Sequence, residues 1–167
     1  MVPLNKFMRR QGKGLKRKIM NQEKKYLTTS EKQTFNLGKK LTNTFKGGDI
    51  LALSGSLGAG KTIMAKGIAA GLGIKKIITS PTFVLMKVYS IKAKSYKLIV
   101  NKLVHIDCYR ILNPQEIIDI GAVEYFGRPD TIVVIEWAEK IKNILPRQII
   151  KINIKLKKNN EREIIIN

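Results

Sequence analysis

Residues 49–62 read D-I-L-A-L-S-G-S-L-G-A-G-K-T, a short apolar run that passes straight into a glycine-rich stretch. Asp49 to Ser54 has the length and apolar density of a buried strand. Gly55 to Thr62 matches G-x-x-x-x-G-K-[ST] in full, and Thr62 to Leu72 continues as a helix ended by Gly73. Strand, glycine loop and helix in that order are the context in which this pattern holds phosphate. Each part has a physical job. Gly58 and Gly60 permit backbone angles and a close approach that a Cβ would block. The amides of Gly55, Ser56, Leu57, Gly58, Ala59 and Gly60 are expected to turn inward as a nest, and the helix opening there adds the positive end of its dipole. Lys61 reaches the β- and γ-phosphates of ATP or GTP, and the Thr62 hydroxyl ligates magnesium. The expected nucleotide-binding stretch runs from Gly55 through Ile63.

A site of this kind also needs a carboxylate at the end of a neighbouring buried strand, to hold the metal directly or through water. Two candidates stand in the sequence. Glu136 closes the apolar run T-I-V-V-I-E over residues 131–136, and Asp107 closes L-V-H-I-D over residues 103–107. A carboxylate in such a place is costly unless it is paired or metal-bound, and ligands of open α/β sheets sit at those strand ends. Lys61, Asp107 and Glu136 are the candidate catalytic groups; Thr62 is a candidate magnesium ligand, and the sequence leaves open which of Asp107 and Glu136 touches the metal and which orients water. Thr79-Ser80-Pro81-Thr82 is a hydroxyl-rich turn that can order around a γ-phosphate as a switch or act as a plain proline turn. His105, the single histidine, reads as a hydrogen-bonded core residue with no further role, and Tyr109 and Trp137 read as packing residues, with stacking on a base as the alternative.

Outward from these motifs the chain reads as one α/β domain over residues 20–167, a mostly parallel sheet flanked by helices. Ser30 and Gln33 form an S-x-x-Q capping box that opens a helix carrying Leu37, Leu41 and Phe45, stopped by Lys46-Gly47-Gly48. Phe83 to Ser90 and Tyr96 to Ile106 alternate like two strands of a hairpin or crossover, with Ile91 to Lys102 as its basic tip. Pro114 opens a short helix ended by Gly121. Thr131 to Glu136 is a strand buried on both faces, and Gln148 to Leu156 with Glu161 to Ile166 flank Asn159-Asn160 as a terminal β-hairpin.

The 167 residues carry a net charge of +20, and residues 1–46 hold 13 Lys/Arg against 2 Asp/Glu. Such a field attracts polyanions without specifying one, and Lys is over-used along the whole chain. Residues 1–19 read as a basic, disordered arm without the apolar core of a secretory signal. No apolar run approaches the ~20 residues of a membrane span, so no membrane partner is expected. One cysteine, Cys108, excludes an internal disulfide or a cysteine zinc site and suits a reducing, cytoplasmic setting.

Taken in order, G-S-L-G-A-G-K-T, S-P-T-F-V-L, H-I-D-C-Y-R, E-I-I-D-I-G and V-I-E-W resemble the TsaE (YjeE) family, the bacterial ATPase of tRNA threonylcarbamoyladenosine synthesis, from about Thr29 onward. The resemblance implies a protein that binds and slowly hydrolyses ATP with Mg2+ in support of threonylcarbamoyl transfer to the adenosine beside the anticodon. It implies a complex with the transferase subunit and its paralogous partner, with tRNA met through that complex. It further places Thr62 and Glu136 at the family's magnesium positions, Asp107 at its strand-end aspartate and Ser80, Pro81 and Thr82 in its switch-like segment. Glu31, at the first helix start, and Arg162, in the C-terminal hairpin, would close the nucleotide site. Ser56, Ile63 and Ala138 depart from the family's usual Asp, Thr and Pro. The competing reading is a P-loop small-molecule or nucleotide kinase. Such kinases use an arginine-rich lid, and beyond the loop this chain has only Arg110, Arg128, Arg147 and Arg162.

Overall fold

The strand T-I-V-V-I-E is buried at every position, which only a central strand covered on both faces allows. Around it the computed structural model, which describes residues 23–76, 78–81, 83–91 and 100–167, builds a seven-stranded sheet. The strands are β1 (Lys24–Thr28), β2 (Ile50–Ser54), β3 (Met86–Ser90), β4 (Lys102–Asp107), β5 (Thr131–Glu136), β6 (Ile150–Leu156) and β7 (Arg162–Ile166). The helices are α1 (Glu31–Leu41), α2 (Lys61–Gly71) and α3 (Gln115–Asp119).

The spatial order is β1-β7-β6-β2-β5-β4-β3. The four central strands β6, β2, β5 and β4 run parallel, while β1, β7 and β3 join antiparallel at the flanks, so the sheet is mixed with a parallel centre. Alternation of side chains across β4 and β5 splits the core in two. Leu103, Ile132 and Val134 pack with α1 and α2 on one face, and Val104, Ile106, Val133 and Ile135 pack toward α3 on the other.

The two large helices approach closely at glycines. A Cβ on Gly67 would stand 2.1 Å from the Phe35 carbonyl oxygen, and one on Gly38 would stand 2.6 Å from that of Met64. Contacts run from Thr34 beside Gly60 to Thr42 beside Gly71, so α1 and α2 point the same way and their N-termini share one end of the sheet. That backbone-to-backbone packing brings the start of α1 to the glycine loop. Gly67→Ala forces the helices apart, and overpacking of this kind costs about 1–3 kcal/mol. Urea unfolding is expected to show a loss in that range, and an unchanged midpoint would mean that the helices do not meet at Gly67.

Ser30 caps α1 as expected, its Oγ accepting from the Gln33 amide at 3.2 Å. Gln33 answers one residue earlier than a standard capping box, taking the Thr29 amide at 2.7 Å. Several boundaries shift. Helix α1 ends at Leu41, with Phe45 beyond a short 3-10 turn. Strand β3 starts at Met86, because Leu85 sits at φ +59 and Phe83 lies in the preceding turn. Strand β4 runs from Lys102 to Asp107, and the expected start at Tyr96 lies outside the described residues. The expected basic arm falls in residues 1–22, and the tip of the Ile91–Lys102 segment in residues 92–99, both outside the described residues. Strand β1 was not expected, and it pairs along its whole length with β7. No helix among the described residues is long and apolar enough to cross a membrane.

Candidate nucleotide-binding site

Parallel pairing sets the site. In the register of β4, β5 and β2, Asp107 lies opposite Glu136 and Glu136 opposite Leu53, so both acids emerge at the edge where β2 turns into the glycine loop. This is the C-terminal edge of a parallel sheet, where α/β proteins place ligands. The loop makes its turn through positive φ at Gly55 (+142), Gly58 (+75) and Gly60 (+106). A Cβ at Gly55 would lie 2.2 Å from the Ile154 carbonyl oxygen, so that position admits glycine alone.

A cleft of about 440 Å³ opens at this edge. Of the expected residues, Glu31, Leu57, Gly58, Gly60, Lys61, Thr62, Ile63, Ser80, Asp107 and Glu136 all line it. Gly55 and Ser56 instead border a neighbouring hollow against β6, and Ala59 is fully buried under the loop. Pro81 is buried behind Ser80, and Thr82 lies outside the described residues. Arg162 is not among the lining residues. Its guanidinium packs on Gly60, with Nε 3.1 Å from where a Cβ would stand, and Nη1 donates to the Asn160 carbonyl at 3.2 Å. Arg162 is buried, and among the described residues its Nε has no partner.

Inside the cleft the polar groups are already joined. Lys61 Nζ donates to the carbonyls of Gly55 (2.7 Å) and Ser56 (2.8 Å) and lies 3.6 Å over the Trp137 ring. Burial lowers the Lys61 pKa, and the charges of Glu136, Glu139 and Asp107 work against that shift. Thr62 Oγ1 donates to Glu136 Oε2 at 2.7 Å. Asp107 takes the Tyr109 amide on Oδ1 at 2.9 Å and the Ser80 hydroxyl on Oδ2. The two acids therefore divide: Glu136 belongs to Thr62 at the head of α2, and Asp107 to the segment carrying Ser80. Two oxygens of the Thr62–Glu136 kind are the hard donors that suit magnesium.

Three residues with no part in the site on the sequence reading stand at the cleft or directly behind it. Trp137 sits at φ +59, an uncommon region for a bulky side chain, and this turn lays its indole across Lys61 and against Tyr109 at 5.2 Å. Phe83, expected in a strand, is 83% exposed at the rim with the Arg110 guanidinium 4.3 Å over its ring. His105, read as a plain core residue, contacts Glu136 Oε1 at 2.8 Å. Cys108 is buried, and burial pushes its thiol up to about 12, which leaves it protonated and inert near neutral pH.

A glycine loop between β2 and α2, a lysine inside it and two strand-end acids beside it define a P-loop protein of the ATPase type. The family model for threonylcarbamoyl adenosine biosynthesis protein TsaE matches residues 28–164. Proteins called tRNA threonylcarbamoyladenosine biosynthesis protein TsaE are similar in sequence. That of Bacillus subtilis is 39% identical over 140 residues, covering 84% of this chain and 82% of its own. That of Treponema pallidum is 35% identical over 141 residues, covering 84% and 97%. The crystal structure of Bacillus subtilis YdiB superposes with a TM-score of 0.69 at 35% identity, over 87% of this chain and 84% of that one. The chain belongs to the TsaE family.

Proposed function

We propose that this chain binds ATP with magnesium in the cleft and hydrolyses it slowly, in support of the threonylcarbamoyladenosine modification of tRNA beside the anticodon. It does so in the cytoplasm, within a complex containing the transferase subunit and its paralogous partner. The observation that carries the reading is the Thr62–Glu136 contact at the mouth of the glycine loop. It puts a hydroxyl and a carboxylate where a triphosphate held by that loop would carry its metal.

In this reading the loop amides and Lys61 take the β- and γ-phosphate oxygens, and Lys61 leaves the Gly55 and Ser56 carbonyls to do so. Thr62 and Glu136 hold magnesium, which when bound would neutralise charge on those phosphates. Hydrolysis adds a water oxygen to the γ-phosphorus and breaks its bond to the β–γ bridging oxygen, releasing ADP and inorganic phosphate. Asp107 orients that water, and Ser80, bonded to Asp107, couples the order of its segment to the γ-phosphate. Glu31 at the start of α1 stands at the cleft and closes the site, and Arg162 backs the loop from behind Gly60.

The test is magnesium-dependent ATP hydrolysis by the purified chain, alone and then with the transferase complex and tRNA. Slow turnover alone that rises several-fold with the complex is the expected result. Brisk turnover that rises with a small hydroxylated acceptor and ignores the complex would make the protein a kinase.

A further inference from the structure

The sheet delivers one more group to Glu136. Side chains alternate along a strand, so on β4 the odd positions Leu103, His105 and Asp107 share the face turned toward α2. On β5 the even positions Ile132, Val134 and Glu136 share that same face. His105 pairs with Val134 in the parallel register, and Glu136 lies two residues further along. That diagonal is within reach of an imidazole. His105 Nε2 stands 2.8 Å from Glu136 Oε1, both side chains almost wholly buried (0% and 2% exposed).

The contact has a direction. A carboxylate oxygen accepts, so the ring presents Nε2–H to it, and Nδ1 has no partner among the described residues. A buried histidine that served packing alone would do better satisfied at both nitrogens. Here one nitrogen is spent on a single oxygen of a single acid. The other oxygen of that acid, Oε2, is the one facing Thr62. The Thr62 hydroxyl gives its hydrogen to that oxygen and keeps its own lone pairs for a metal.

We infer that His105 is a positioning residue: its Nε2–H pins Glu136 Oε1 so that Oε2 stays aimed at the Thr62 side of the cleft when Thr62 engages magnesium. The inference rests on the magnesium–nucleotide reading above and adds to it the group that holds the carboxylate in place. His105 touches neither nucleotide nor metal in this arrangement. Hydrogen-bonded partners of metal-binding side chains are worth about 10–100-fold in metal affinity or activity in other proteins.

Two substitutions of similar polarity separate positioning from packing. His105→Gln places an amide N–H near the position of Nε2 and reaches Glu136. His105→Asn places its amide near Nδ1, too short to reach. Binding of a fluorescent ATP analogue is measured for each full-length variant with EDTA and with magnesium, alongside the melting temperature. The wild type is expected to bind more tightly with magnesium. H105N is expected to lose about 10–100-fold of that magnesium-dependent gain with its EDTA affinity unchanged, and H105Q to keep most of it. Combining H105N with Glu136→Gln should cost little more than E136Q alone, since both act through one carboxylate.

Equal gains in H105N and H105Q, or equal losses with and without magnesium, would show a structural histidine and overturn the proposal. If H105N does not fold, H105Q decides alone: loss of its magnesium-dependent gain in a folded protein overturns the proposal, and retention supports it. A wild type that binds the analogue equally with and without magnesium removes the metal reading itself. A wild type that binds it in neither condition removes the nucleotide site.

Discussion

Lys61→Ala is expected to lower ATP affinity by about two orders of magnitude, since each hydrogen bond to a charged group contributes about 1.5–3 kcal/mol. In the proposed site the ammonium is held where it can turn to a triphosphate. Two loop carbonyls at 2.7 and 2.8 Å and the Trp137 face at 3.6 Å hold it inside the cleft, 4% exposed. These partners are neutral, so an anionic ligand outbids them electrostatically, and the side chain needs only to rotate. Removing it also leaves the Gly55 and Ser56 carbonyls without their donor, which loosens the loop. Lys61→Met keeps most of the packing stem and isolates the charge, and it should bind ATP nearly as poorly. Calorimetric titration reads both variants.

A pH series adds an internal check on Lys61. Burial lowers its pKa, so the charged form that binds phosphate is present below that lowered value and lost above it. Wild-type affinity should begin to fall at a lower pH than an ordinary lysine would dictate, while K61A stays flat across the same range. Affinity within twofold of wild type in K61A would place the nucleotide elsewhere.

What was legible in the sequence and what was not follow from the range of each signal. Gly55 to Thr62 is contiguous, and its glycines state the backbone they need, so the loop, its helix and the strand before it were readable at once. Thr131 to Glu136 was readable to its ends, because a strand covered on both faces has no polar position to blur it. Asn159 and Asn160 announced the last turn by tolerating positive φ, where they are found at +57 and +59. Strand β1 gave no such sign. Lys24 and Lys25 hide its alternation, and charge of this kind is how edge strands resist pairing with strangers. It is a strand only because β7 lies beside it. The same holds at the site. Glu136 and Asp107 could be found from local runs, but their separate partners Thr62 and Ser80, and the contact of His105 with Glu136, are made between segments far apart in the chain. Trp137 owes its position over Lys61 to one residue at φ +59, which no residue type there foretells.

Glu136→Gln is expected to reduce magnesium-dependent turnover by about 10²–10³-fold, the scale on which single charge-stabilising groups act in transition states, while changing metal-free nucleotide affinity by less than threefold. The amide keeps the volume and can still accept from Thr62 Oγ1, so the buried neighbourhood of β4, β5 and α2 stays filled. What it loses is the negative charge beside Thr62, and with it the attraction for a divalent cation. The magnesium concentration for half-maximal rate should therefore rise in the same variant. Asp107→Asn makes the contrast. Its carboxylate is tied to Ser80 and the Tyr109 amide. It should lose turnover with little change in the magnesium requirement. If the two variants shifted the magnesium dependence equally, both acids would serve the metal, and the split between a metal-holding Glu136 and a water-orienting Asp107 would fail. Steady-state rates across a magnesium titration, with binding of the unhydrolysed nucleotide in EDTA measured beside them, distinguish the two outcomes.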